Sequence, residues 1–511
     1  MITRPAEREL PIWLRPGAIC LFLGMVTILR FAVAGSTGLV RDEGYYAVWS
    51  TVPTAGYLDH PPMIAWMIAA GRALLGESEL AVRLLPVLAT LVTSLAVYRS
   101  GMLLFDRRIA GIGVIWFNVT VLAGLLWIAA PDAPLVMFWS LALWAVAEFA
   151  ASRRPGWWLL AGAFAGLALL SKYTAGFLGL GLLLYLVSNS ERRGWLLLWQ
   201  VWAGAALALV VFLPNLLWNL ERDWAGVAFQ GRRLDGHGTS LGSFAANLGE
   251  LVAGQALATG LALLVFVIMA IALFAARRDK RAQAGLALPV LTALPLLAFF
   301  LAYTAQLRVE ANWLAPVWPM LSLAGGWAVV RVRPRAAILR WPLALLRSVQ
   351  VPLGIALTCL LYVQAIWHPW VLPSALDRTR EMRGWDNLEH EIAALAASHE
   401  AAWIAVGGLD YGLPAQLTTY GRFAGRTLPV RQVAAPHRWD FLPPMDPEAV
   451  AAPAIFVIAG NVGVDVPGQF FATVEPLGLV DRQDDGAVMQ PYSAFVVSEP
   501  VAGTVAALTN R

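Results

Sequence analysis

The sequence predicts an all-α polytopic membrane domain of about eleven transmembrane helices, residues 1–370, followed by a small α/β domain, residues 371–511, outside the membrane. Three observations carry this expectation. Of 511 residues, 59% are hydrophobic and only 14% are charged, against roughly 25% charged in an ordinary soluble domain, and the mean hydropathy is +0.64. Apolar runs long enough to cross about 30 Å of hydrocarbon recur through the first three quarters of the chain. Beyond residue 370 the runs give way to mixed polar sequence with short β-like stretches. Such a composition excludes a soluble globular enzyme, and a net charge of +4 gives no reason to expect a nucleic-acid partner. The lipid bilayer is the solvent for most of the chain.

The expected spans lie near 17–35, 83–104, 110–130, 133–151, 156–171, 173–190, 195–217, 251–275, 285–306, 312–330 and 345–367. The first lacks a small-residue cleavage site and is read as a helix rather than a signal peptide. Basic residues resist translocation, and they crowd on one set of alternate loops, in Arg99, Arg107 and Arg108, then Arg153 and Arg154, then Arg192 and Arg193. The expected orientation is therefore a multi-pass membrane protein with a cytoplasmic N-terminus. Acidic residues gather on the opposite, periplasmic face, where two loops are long, 36–82 and 218–250. Long loops in compact proteins commonly carry function. The C-terminal domain is expected on the same periplasmic side. Its strands are expected at Trp403–Val406, Ala454–Ile458 and Ala494–Val497, with a helix around Pro414–Tyr420. Cys20 and Cys359 lie far apart inside apolar runs and read as small hydrophobes.

The residues that could carry chemistry sit in the outer loops. Arg41-Asp42-Glu43-Gly44-Tyr45-Tyr46 follows the first span. Two acids beside aromatics suit a sugar site, where a carboxylate takes a hydroxyl proton and ring faces hold the sugar; the plainer reading is a solvated loop. Asp59-His60-Pro61-Pro62 presents an acid and an imidazole on a segment that proline keeps extended. It is either a positioned pair, two ligands for a divalent cation, or a turn opening the next helix. Pro131-Asp132 either caps a helix or places a carboxylate in the site. Ser171-Lys172-Tyr173-Thr174 holds one of only two lysines in an arginine-rich chain. Lysine suits a phosphate as a compact point charge, with snorkelling to the interface as the competing account. Arg232 and Arg233 could clamp an anion or touch lipid headgroups. Asn215 to Asn219 and Glu310-Ala311-Asn312-Trp313 complete the set.

In their order along residues 17–330 these motifs resemble the integral-membrane glycosyltransferases of the GT-C type. More narrowly they resemble the bacterial branch grouped with protein O-mannosyltransferases and the lipid A aminoarabinose transferase. The resemblance implies a GT-C type fold, a polyprenyl-phosphate-linked sugar donor, and an envelope lipid, glycan or protein as acceptor. It also implies an inverting transfer on the periplasmic side, with Asp42 matching the catalytic acidic position. The aminoarabinose enzymes usually carry a lysine before the Pro-Pro pair where this chain has His60, which leaves the sugar open. The substrate-binding set expected around Asp42 is Glu43, Tyr45, Tyr46, Asp59, His60, Asp132, Lys172, Tyr173, Asn215, Arg232, Arg233, Glu310 and Asn312. No cofactor is certain on this reading; metal dependence stays open, with Asp59 and His60 as weak candidates for a divalent cation. Two rivals are weighed: transfer of an oligosaccharide from polyprenyl diphosphate, and a transporter or flippase of lipid-linked sugar. Transporters tend to show internal repeats and mid-bilayer charges, whereas here no repeat is visible and ionisable residues collect at one interface.

Overall fold

The computed structural model describes residues 10–232, 241–276, 280–334, 336–373 and 377–509. Among these, seven helices are long and apolar enough to cross a membrane: Pro16–Gly35, Glu79–Leu104, Asp132–Ser152, Trp199–Leu220, Ala284–Tyr303, Ala311–Arg331 and Ala337–Trp367. Each falls on an expected span. The runs at 156–171 and 173–190 form the shorter helices Trp157–Leu169 and Tyr173–Val187. The run at 110–130 is not one helix but Arg107–Asn118 and then Val121–Leu125. The break has a local cause. Thr120 caps the second piece by accepting from the Ala123 N–H at 3.1 Å. The Asn118 amide meanwhile serves buried Arg30 at 3.0 Å and Ser94 at 2.9 Å.

The expected span at 251–275 is a bent pair, Gly242–Thr259 and Leu261–Ala275, turned by 110°. Gly260 makes the corner at φ +84°, in the left-handed region that side chains rarely adopt. A Cβ there would also lie 2.6 Å from Gln350 Oε1. Gln350 needs that closeness, because it ties both arms of the bend. Its amide donates to the Thr259 carbonyl at 3.1 Å, and its Oε1 accepts from Leu263 N–H at 3.2 Å. Backbone groups freed by a bend in hydrocarbon must be satisfied from within the protein.

The described residues pack as two compact units, one of Met1–Ala32, Leu58–Ile64 and Pro86–Tyr362, the other of Val33–Tyr57, Ala65–Leu85 and Val363–Arg511. This division does not coincide with a boundary at 370/371, because two stretches of the first long loop pack with the C-terminal residues. In the first unit, helices approach through glycine. A Cβ at Gly162 would run into the Gly204 backbone, and one at Gly204 into the Trp158 backbone, so Trp157–Leu169 and Trp199–Leu220 meet at main-chain distance, as small residues permit in membranes. Large apolar side chains such as Trp202, Leu209 and Val210 remain exposed on the latter helix, which only a lipid solvent makes tolerable.

The second unit contains a five-stranded sheet of order β2-β1-β3-β5-β4, with β1 Trp403–Val406, β2 Val430–Gln432, β3 Ala454–Ala459, β4 Phe471–Asp484 and β5 Ala487–Pro500. β1 pairs in parallel with β2 and β3, and β5 antiparallel with β3 and β4. The three β-like runs and the helix expected in this region are all present, the helix as Gly412–Phe423. That helix packs against Arg41–Trp49. Gln416 Nε2 donates to the Leu39 carbonyl at 2.9 Å, Thr419 Oγ1 to the Gly44 carbonyl at 3.1 Å, and the Leu39 N–H to Tyr420 Oη at 2.9 Å.

Gly260→Ala should destabilise the protein by about 1–3 kcal/mol through forced φ and the clash with Gln350. Thermal unfolding in detergent would measure the loss, and Gln350→Ala in the same background should relieve the clash while giving up the two hydrogen bonds that tie the bend.

Candidate functional site

Within the membrane unit the structure brings together residues far apart in sequence. Asp132 is the first residue of the helix Asp132–Ser152, whose N-cap is Pro131 without a side-chain cap. Its carboxylate is not spent on capping. Oδ1 accepts from Lys172 Nζ at 3.0 Å and Oδ2 from Asn312 Nδ2 at 2.9 Å. Asp132 is 8% exposed, so the ion pair is largely withdrawn from water, where an unpaired ammonium would be costly. Lys172 sits at the turn between Trp157–Leu169 and the short 3-10 turn Tyr173–Ala175. An ammonium has three donors, and among the described residues Lys172 uses one, toward Asp132. The other two have no acceptor among the described residues. Nearby in the chain, Thr174 Oγ1 is buried with no partner among the described residues.

Beside Lys172, the Tyr173 hydroxyl accepts from Asn219 Nδ2 at 3.1 Å, and Asn219 also binds the Asn215 carbonyl and Oδ1 at 3.0 and 3.2 Å. Asn215 and Asn219 are one turn apart on the same helix and fully buried, so both face inward. Asn219 Oδ1 further accepts from Val227 N–H at 3.3 Å, tying the second long loop to this helix. Asp59 is buried and its carbonyl accepts from Gln230 Nε2. His60 is half-buried, ahead of the helix Met63–Leu75. Among the described residues no three His, Cys, Asp or Glu side chains gather as a metal would require. Glu310 is drawn elsewhere, to Arg308 at 3.6 Å, which also holds Glu250 at 3.1 Å on the surface. Arg232 is exposed at the end of the helix Ala225–Arg232. Arg233 lies outside the described residues.

In the second unit, Asp42 stands exposed in the first turn of the helix Arg41–Trp49. The Tyr411 hydroxyl donates to its Oδ1 at 2.5 Å; Oδ2 takes no partner among the described residues. The next residue has a different environment. Glu43 is wholly buried, accepting from Arg83 Nε at 2.7 Å and Nη2 at 2.5 Å and from the Val40 N–H at 3.0 Å. Arg83 spends its remaining donors on the Ala34, Thr37 and Gly38 carbonyls at 2.9, 2.6 and 2.7 Å. The pair locks the start of the helix that carries Asp42. Tyr45 and Tyr46 do not stand free as a sugar platform. They belong to an aromatic cluster in which Tyr45 lies 4.9 Å from Trp49, 4.9 Å from Tyr411 and 5.1 Å from Trp439. Tyr57 stacks on Trp49 at 4.1 Å. Burial pushes the Tyr57 phenol up to about 12, so it stays a donor, here to the Trp49 and Val52 carbonyls at 2.9 Å each.

Sequence reasoning passed over Asn219 as a site member although its four-residue spacing from Asn215 was visible. It had no means of finding Tyr411, which lies 369 positions from its partner Asp42.

Comparisons with known proteins agree with this architecture. Residues 59–218 match the family described as dolichyl-phosphate-mannose-protein mannosyltransferase. The lipid A galacturonosyltransferase RgtD of Rhizobium johnstonii is 26% identical over 377 residues, 73% of this chain and 76% of that protein. The lipopolysaccharide core galacturonosyltransferase RgtA of the same organism is 27% identical over 322 residues, 58% of this chain and 61% of that one. The apo crystal structure of ArnT from Cupriavidus metallidurans superposes with a TM-score of 0.60 at 18% identity, covering 97% of this chain and 99% of ArnT. The ArnT structure bound to undecaprenyl phosphate gives 0.59 at 17%, covering 97% and 100%. The chain thus shares the fold of the ArnT structures and is similar in sequence to membrane glycosyltransferases.

Removing one partner of a buried ion pair costs about 3–5 kcal/mol. Glu43→Ala should therefore lower stability by about that much, and Glu43→Ala with Arg83→Met by less than the sum of the single losses. Thermal unfolding of the four proteins in detergent closes the cycle.

Proposed function

We propose that this chain moves a single sugar from a polyprenyl-phosphate donor to a hydroxyl of a cell-envelope lipid, with inversion, on the periplasmic side of the inner membrane. The observation that carries the reading is Lys172, a largely buried ammonium fixed by Asp132 with two donors unspent. A fixed cation at that position suits a phosphate anion. In such a displacement the acceptor oxygen bonds to the anomeric carbon while the bond from that carbon to the phosphate oxygen breaks, and the phosphate leaves with the electron pair. Lys172 stabilises the charge as it develops, and a preorganised ion needs no reorganisation at that moment. The proton of the acceptor hydroxyl goes to a carboxylate. Asp42 fills that role, since Tyr411 holds one oxygen and leaves the other to accept, an effect typically worth about 10²–10⁴-fold. A phosphodiester leaves as a stable anion, so no general acid is needed, unlike the alkoxide departure in a glycosidase.

Asp132 and Asn312 position Lys172, Asn215 and Asn219 hold Tyr173, and Glu43 braces the helix of Asp42. Asp59 and His60 shape the loop held by Gln230, and the exposed Arg232 meets anionic groups. The proteins named as galacturonosyltransferases of lipid A and the lipopolysaccharide core, and the ArnT structure with undecaprenyl phosphate, support the donor and acceptor classes. They make a polyprenyl-phosphate hexuronic acid the first donor to try.

Mass spectrometry of envelope lipids with and without the protein should show a mass increment of one sugar on a lipid; an unchanged lipid profile would refute the reading. Asp42→Asn is expected to lower transfer at least about 10²-fold in a folded, membrane-inserted protein, with donor binding retained. Lys172→Met should instead weaken donor affinity. Undiminished affinity would return Lys172 to a snorkelling residue.

A further inference from the structure

A second anion-seeking group lies in the sheet-containing unit. Arg482 sits on β4, 6% exposed. Its guanidinium lies over Trp385, with Cζ 4.1 Å from the ring centroid. Its Nε and Nη1 are buried with no acceptor among the described residues. A guanidinium cannot shed its charge in a protein, and burying it unpaired is costly.

The surrounding carboxylates are already committed. Glu381 pairs with Arg41 at 3.4 Å and Arg378 at 3.9 Å, and Asp410 with Arg41 at 3.6 Å. Asp377 takes Arg383 at 2.5 Å, and Asp484 faces Arg383 at 3.9 Å and His368 at 3.8 Å. Arg380, the like charge acting on Arg482 together with Arg41, spends Nη2 on a neutral acceptor, the Met489 carbonyl, at 2.8 Å. Among the described residues neither Arg380 nor Arg482 takes a carboxylate. The β4–β5 register shifts between Arg482 and Gln483, and such irregularities re-aim a side chain and recur beside functional sites. Two guanidinium groups that repel each other, one buried on an indole with donors unspent, have near them, among carboxylates, only the attraction of Glu381, one already shared between Arg41 and Arg378.

We propose that Arg482, with Arg380, forms an oxyanion-binding site that takes a phosphate or carboxylate group of a ligand. Arginine suits both, because its planar donors match their oxygens. The source is either the phosphate of an anionic envelope lipid or the carboxylate of an acidic sugar. The site stands independently of the transfer chemistry, and its test reads binding alone.

The test is thermal unfolding of the full chain in detergent, titrated with inorganic phosphate, with free galacturonate, and with galactose as the uncharged control. A saturable rise in unfolding temperature with phosphate alone assigns the site to a lipid phosphate. A rise with galacturonate alone assigns it to an acidic sugar, and a rise with both supports a general oxyanion site. Arg482→Met keeps the bulk against Trp385 and should weaken the responding anion by roughly tenfold or more. Arg380→Gln should weaken it in the same direction and serves if the first variant does not fold. No response to either anion, an equal response to galactose, or an unaltered response in the variants would overturn the proposal.

Discussion

A buried ammonium is costly without a counter-charge, and the pairing of Lys172 with Asp132 meets that constraint. Asp132 can serve because it opens a helix rather than caps it, with both carboxylate oxygens directed to side chains. Asn312 takes the second oxygen and so fixes the carboxylate's orientation. The neighbouring network of Tyr173, Asn215 and Asn219 follows the same rule, each buried polar group finding a partner. A cation held this way is a fixed point charge rather than a mobile one, which is what stabilising a departing phosphate asks for.

The second unit solves a different problem, holding an exposed carboxylate at the head of a short helix. Nine residues are too few for a helix to persist on its own propensity, so Arg41–Trp49 depends on what it packs against. The buried Glu43–Arg83 pair clamps its first turn, the Tyr45, Trp49 and Trp439 rings fill one face, and Gly412–Phe423 covers another. Adjacent acids thus have separate duties: Glu43 spends its charge on structure, and Asp42 keeps one oxygen unengaged.

Much of this was legible in the chain. Composition forced a lipid solvent, apolar runs located seven single-helix spans, and β-branched runs located β1, β3 and β5. The misreadings share a cause. The runs at 110–130 and 251–275 are apolar throughout, yet Asn118 to Thr120 and Gly260 interrupt them. Averaged hydropathy does not register a single cap or a single left-handed glycine. Glu310 and Asn312 share one short motif, yet Asn312 reaches Asp132 while Glu310 lies with Arg308.

The sequence alone determined the solvent, the residue types available for catalysis, and their grouping in a few short motifs, because those follow from composition and local pattern. Tertiary structure decided which acid is buried and which is exposed, that Asp132 and not a neighbouring acid holds Lys172, and that a tyrosine 369 positions away holds Asp42. Those choices depend on packing between distant segments. Burial sets the energy of a charge far more strongly than its neighbours in the chain do, so no local pattern could have fixed them.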